Sequence, residues 1–305
     1  VLAALLCTVL FALSIVCAHR SARVLGGTEA NFWRLVAATL LLGTWAFGFG
    51  SGLDGQAFPT FLLSGVVGIG IGDIALFQAL PRLGSRLSLL VNNCLMAPFG
   101  ALIEWLWLGT SLSVRQIAFG LVVLAGIAWA LLPSEHVHRS RRDLLSGTAF
   151  SLFSALCGAA AAVLSRRAYA LAHTAGQKID GGSAAFQRVV GGILIAGLFL
   201  LLVKRRTLQQ SRLSEVPQAQ VIVGKWRTIW PWVFLNGLLG LTLGVSFMQR
   251  ALETTPTGIV LPIIATTPIV VVPLAMVFEH ERPTIHSLIG GIIAVAGVIG
   301  LIMSR

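Results

Sequence analysis

GIGIGDIALFQAL, residues 68–80, sets one carboxylate, Asp73, in a stretch that otherwise suits hydrocarbon, and its ending FQAL (77–80) returns later as FMQRAL (247–252). Both features bear on the fold. An unpaired charge at the centre of a membrane helix costs about 2.5–3.5 kcal/mol on insertion scales, so Asp73 calls for a partner or a wet cavity. The echo calls for a repeat.

The 305-residue chain is 56% hydrophobic and 11% charged, with a mean hydropathy of +0.88. Soluble domains carry about 25% charged residues, so this is the composition of a membrane protein. A net charge of +11 and a pI near 11.1 would also suit a nucleic-acid binder. The basic residues, however, lie between apolar runs and form no stripe interleaved with aromatics, which argues against nucleic acid. A crossing helix needs about 20 apolar residues. Ten segments meet or approach that length, near residues 1–18, 30–50, 57–80, 86–108, 114–133, 144–167, 184–203, 228–250, 256–278 and 284–304. The first has no basic residues before it and no small-residue cleavage site after it, and reads as a helix that stays in the protein. A longer polar linker, KRRTLQQSRLSEVPQAQVIVGKWR (204–227), separates the seventh and eighth. Nothing remains for a soluble catalytic domain.

The two halves match in order. NFWR (31–34) opens the second span and AFQR (185–188) the seventh; FQAL and FMQRAL end the third and eighth. Pro98 and Pro268 lie in the apolar runs that follow, and LVVLAGIAW (121–129) is answered by IIAVAGVIG (292–300). Five spans is an odd number, so a second copy enters the membrane from the opposite side. The expected fold is all-α, ten transmembrane helices as two inverted five-helix repeats, 1–133 and 144–305. Secondary transporters use this architecture, with substrate near the midplane and access alternating between sides.

The series GD…FQALPRLGSRLSLL…P and RAL…P…P…FEHERPTIHSLIGGIIAVAG resembles the two EamA domains of the drug/metabolite transporter superfamily, over nearly the whole chain. The resemblance implies a ten-helix bacterial metabolite transporter of the inner membrane, with a central cavity lined mainly by the first four helices of each half. Members include amino-acid exporters, and relatives carry nucleotide sugars and organophosphates. The acid expected after the ninth span is Glu281; its counterpart after the fourth is Ser111. Lys and Arg concentrate in the odd loops, which by the positive-inside rule places both termini outside, whereas the resemblance implies cytoplasmic termini.

Arg34 lies about four residues into the second span and Asp73 about seven residues before the end of the third, on the same side. At about 1.5 Å per residue both fall within about 6–11 Å of one surface and can pair. Arg188, the repeat mate of Arg34, lies on the opposite side, where Thr242 and Leu243 stand in place of Asp73. Glu104 is the evident partner there. Arg188 is therefore either a substrate-anion clamp, its forked donors suiting a carboxylate or phosphate, or half of a structural bridge to Glu104.

Asn92, Asn93, Asn236, Thr242, Ser246, Gln249, Thr266 and Thr267 are cavity candidates, with interhelical hydrogen bonding as the alternative for each. Trp33 and Gln187 share the depth of the two arginines; Trp33 either stacks on a planar substrate or marks the interface, as do Trp105, Trp107, Trp226, Trp230 and Trp232. Gly65, Gly68 and Gly72 form one smooth helix face for close packing, and without a strand–turn–helix context GxG is no dinucleotide loop. Pro98 and Pro268 are candidate hinges. Cys7, Cys17, Cys94 and Cys157 lack ligand spacing and read as packing residues. His136 and His138 form a solvated HxH with no third ligand nearby, so no metal is expected, nor any cofactor.

The preferred function is a secondary transporter of a small polar metabolite, an exporter of amino acids or related organic anions. The alternative is an integral-membrane enzyme or flippase acting on lipid-linked substrates, although the histidines lack the spaced acids an enzyme would need. There is no GxxxxGK[ST] phosphate loop. Expected partners are the small-molecule substrate and the lipid bilayer. Proton coupling through Asp73 or Glu104, exchange and facilitated flow are alternatives, as are monomer and homodimer.

Overall fold

A computed structural model describes residues 1–83, 85–131, 140–211, 219–278 and 285–304, and every regular element among them is a helix. An apolar surrounding demands this, because each backbone N–H and C=O must find its partner within its own segment. The chain forms α1 (Leu2–Leu25), α2 (Gly27–Gly48) and α3 (Phe58–Gly65), which passes through a π-helical segment, Val66–Gly72, into α4 (Asp73–Leu83). Next come α5 (Ser85–Leu108), α6 (Val114–Leu131), α7 (Arg141–Thr174), α8 (Gly181–Ser211) and α9 (Ala219–Asn236). A second π segment, Gly237–Gly244, leads into α10 (Val245–Thr254), followed by α11 (Thr257–Ala265), α12 (Thr267–Phe278) and α13 (Ile285–Met303).

Five stretches among the described residues are long and apolar enough to cross a membrane: Leu2–Ala22, Phe58–Leu80, Arg141–Thr174, Gly181–Val203 and Thr228–Thr254. Shorter apolar helices cover Val114–Ala130, Thr257–Val271 and Leu288–Met303.

Three boundaries differ from the sequence reading. The linker at 204–227 is helical at both ends, through Ser211 and again from Ala219, since Lys, Arg and Gln are good helix formers even where they are too polar for lipid. α7 continues past residue 167 to Thr174. The ninth span breaks at Thr266, and Pro268 stands in the first turn of α12. Pro268 has no N–H for the Ile264 carbonyl; the Thr267 hydroxyl donates to that oxygen instead, at 2.5 Å. Pro98 lies inside an unbroken α5, so the two candidate hinges are different objects.

Packing interlocks the two halves. The segment Val66–Gly72 lies on α7 and α8, while Gly237–Gly244 lies on α1 and α2; α2 packs along α8, α5 along α7 and α6 along α13. Glycine makes the closest approaches possible. A Cβ on Gly65 would collide with the backbone carbonyl of Arg188, and one on Gly237 would come within 2.9 Å of the Arg34 carbonyl. The small face of Gly65, Gly68 and Gly72 thus meets Arg188, Ala161 and Cys157. Gly26, the single residue between α1 and α2, differs: its φ of 80° calls for glycine although nothing lies within 4 Å of a Cβ there. The largest apolar cluster joins Cys7 of α1, Val123 and Ile127 of α6, and Leu261 and Ile263 of α11; a second joins Leu35, Leu42, Ile69, Phe186 and Val189. All four cysteines are free thiols.

Candidate functional site

Arg34 and Asp73 meet. The guanidinium donates from Nη2 to Asp73 Oδ2 at 3.0 Å and from Nε to Asn31 Oδ1 at 2.8 Å. The Arg34 and Asp73 side chains retain 20% and 28% exposure. The π segment decides where Asp73 points. Its N–H bonds to the Gly68 carbonyl, five residues back, so Asp73 stacks over Gly68; an α-helical turn would have put Gly72 there. Nη2 of Arg188 lies 3.4 Å from the place a Gly68 Cβ would take. Bare glycine lets this second guanidinium approach Asp73 from the other half, within electrostatic reach.

Arg188 is 4% exposed, and its buried Nε has no hydrogen-bond partner among the described residues. The expected bridge to Glu104 is not what forms. Glu104, 1% exposed, contacts Arg166 Nε through Oε1 at 2.5 Å as an ion pair without hydrogen-bond geometry. Its Oε2 accepts the Thr257 N–H at 2.6 Å and the Thr257 hydroxyl, while Arg166 Nη1 donates to the Leu252 carbonyl at 2.9 Å. This knot ties α5, α7, α10 and α11. The physical reason is packing: α5 runs along α7, so the arginine in reach of Glu104 is the one on α7.

Other candidates have found local work. Gln187 is fully buried and donates to the Gly52 carbonyl at 3.0 Å, holding the loop between α2 and α3. Trp33 is 37% exposed and meets Trp226 edge-on with centroids 5.2 Å apart, in a groove also lined by Leu40, Trp230 and Phe234. That apolar setting suits the interfacial reading. Thr266 and Ser246 donate back to Ile263 O (2.6 Å) and Thr242 O (2.5 Å), and the Asn236 carboxamide accepts from Ser14 at 2.7 Å. Gln249 is fully buried with both amide atoms unpartnered among the described residues; Asn92 Oδ1 and Thr242 Oγ1 are likewise unpartnered, and Asn93 is half-buried. No group of three metal-ligating side chains occurs among the described residues; His136, His138 and Glu281 lie outside them.

A cavity of about 1030 Å³ opens at the end of the bundle that carries residues 49–51 and 177–180. Arg166, Tyr169, Lys178, Asp180, Arg250 and Glu253 line it. Arg250 pairs with Glu253 at 2.5 Å. Burial works against the charge of Asp180, yet hydrogen bonds from Ser183, the Trp45 indole and the Gly182 N–H outweigh it and hold the carboxyl below its ordinary value. Sequence reasoning missed Tyr169, whose available signal was that it is the only tyrosine in the chain. Arg166, too, was not among the candidates.

The model of the EamA-like transporter family matches residues 1–132 and again 145–303. The chain belongs to the EamA-like transporter family. Its members are membrane transporters of the drug/metabolite type, which with the apolar helices makes this a multi-pass membrane protein. One solved structure, described only as "Crystal structure of protein", matches with a TM-score of 0.71 at 15% identity, over 99% of this chain and 96% of that one. At that identity the likeness is one of fold. No curated protein matches the sequence. The two family segments correspond to α1–α6 and α7–α13, each containing one π segment in its third span-length helix.

Proposed function

We propose that this EamA-family member is a secondary carrier of the prokaryotic inner membrane that moves a small metabolite bearing a carboxylate or phosphate, with Arg188 as the group that holds the anion. The reading rests on one observation: Arg188 is 4% exposed, with Nε sealed and unpartnered among the described residues. Burying a charge without a partner costs several kcal/mol, a cost a ligand anion would relieve. Charge counting agrees. Arg34, Arg188 and the single carboxylate of Asp73 leave one positive charge between the halves, matched by one negative charge on a substrate. Small organic acids fit this count; an amino acid, neutral overall, fits through its carboxylate alone, and export of either is included. The reciprocal packing, in which each π segment rests on the first two helices of the other half, supports a carrier in which one half rocks against the other.

The test is thermal unfolding of the purified protein with amino acids, organic acids, sugar phosphates and cationic drugs, followed by uptake into proteoliposomes. A ligand at about 100 times its dissociation constant adds about 2.7 kcal/mol of stability. Stabilisation by one anionic or zwitterionic class, lost in Arg188→Gln and only partly kept in Arg188→Lys, supports the clamp. Stabilisation by cations alone, or an Arg188→Gln protein that binds and transports as the native one does, sinks it.

A further inference from the structure

We propose that Tyr169 forms the threshold of the binding site: its hydroxyl donates to the carboxylate or phosphate oxygen of a substrate passing between the 1030 Å³ cavity and Arg188. The inference rests on the Arg188 reading above and deepens it by naming a second recognition group and the end of the molecule from which that group is reached.

Three observations carry it. Tyr169 lines the cavity and is only 7% exposed. Its hydroxyl is sealed and has no hydrogen-bond partner among the described residues, a condition buried hydroxyls rarely keep unless a ligand or water completes them. Tyr169 also interacts electrostatically with Arg188, which has a buried donor of its own, unpartnered among the described residues. A phenolic O–H and a forked guanidinium acting together would form a receptor for an oxyanion, which has lone pairs for both.

The ring is held for this purpose by packing alone. Phe61 meets it edge-on with centroids 5.0 Å apart, and Ala168, Ala172 and Ala184 fill the surrounding cluster. The other charged groups around the cavity already have partners: Arg166 has Glu104, Arg250 has Glu253, and Asp180 has Trp45 and Ser183. Lys178 has none among the described residues and lines the cavity, while the Asp180 carboxylate is held by neutral donors, so these two opposite charges balance at the entrance.

The experiment uses the full-length protein in detergent or nanodiscs, with inorganic phosphate and glutamate as separate probes. Tyr169→Phe keeps the ring and its contact with Phe61 while removing the hydroxyl. The expected result is an unchanged or higher melting temperature without ligand, because an unsatisfied buried group is gone, and about tenfold weaker binding of the preferred probe, the worth of one hydrogen bond to a charged group. Native affinity in Tyr169→Phe, with binding abolished in Arg188→Gln, overturns the threshold and leaves the clamp standing. Native affinity in both variants overturns the clamp as well. Because Tyr169 is the only tyrosine, fluorotyrosine labelling yields one ¹⁹F resonance that reports on the native site even if Tyr169→Phe folds poorly. Saturable movement of that resonance with the probe is expected; a resonance indifferent to both probes refutes the contact.

Discussion

Arg34 and Arg188 occupy matching places in the two halves, NFWR and AFQR, and the carbonyl of each receives a glycine from the other half's π region. Their charges are handled in opposite ways. Arg34 has Asp73 and Asn31 and stays partly exposed; Arg188 is buried and no described side chain bonds to its Nε. The backbone packing of the repeat has been kept while its charge balance has been broken, and broken at one carboxylate. A symmetric pair would be two structural bridges. Asymmetry leaves one arginine bonded to an acid and the Nε of the other without a partner among the described residues.

The largest effect expected is at the acid that might have restored the symmetry. Glu104→Ala leaves Arg166 facing a buried hole and removes the acceptor at the start of α11, so stability in chemical or thermal unfolding should fall by about 3–5 kcal/mol. A loss under about 1 kcal/mol would mean that the knot is not holding the four helices. Gly65→Ala comes next, at about 3 kcal/mol, because its Cβ would strike the Arg188 carbonyl; Gly237→Ala, with 2.9 Å to the Arg34 carbonyl, should cost about 1 kcal/mol. Equal costs would remove the difference in tightness between the two contacts.

The comparison itself is tested by the arginines. Arg34→Gln strands Asp73 in a half-buried site and should lose about 1–2 kcal/mol, between the values for surface and buried pairs. Arg188→Gln removes a buried charge lacking a bonded counter-ion, so the unliganded protein should be as stable as the native one or more so, while anion binding disappears. A marked loss of stability in Arg188→Gln would make it a structural residue after all.

The smallest effect is expected at Asp180. Its depressed carboxyl contributes stability that is present above its ordinary value of 3.8 and lost as pH falls through the lower folded-state value. Asp180→Ala should cost about 1 kcal/mol at neutral pH, typical of a lost helix N-cap, and the difference from the native protein should shrink below about pH 4. A difference that persists unchanged at low pH would assign the effect to packing.

Much of this was legible in the residues. Helices follow from apolar length, since a backbone in hydrocarbon has no other way to satisfy itself. The pairing of Arg34 with Asp73 follows from depth, because 1.5 Å per residue places both near one surface. Glycine spacing announced close packing, and Gly65, Gly68 and Gly72 do meet neighbours directly. What could not be read was lateral. Depth along a helix does not say which neighbour lies beside it, so Glu104 was matched to Arg188 when α5 runs against α7 and brings Arg166. Thr267 looked like a cavity residue because nothing in the sequence says that its hydroxyl would replace the N–H missing from Pro268.

The sequence by itself determined an apolar helical chain and its family, because these depend on composition and order. Beyond the pairing of Arg34 with Asp73, tertiary structure alone decided which groups meet. The π turn at Val66–Gly72 rotates Asp73 over Gly68, α7 brings Arg166 to Glu104, and Tyr169 and Arg188 are left with buried donors unpartnered among the described residues. Those outcomes depend on the angle around each helix and on its neighbour, and both are set by how glycine surfaces from one half fit the backbone of the other.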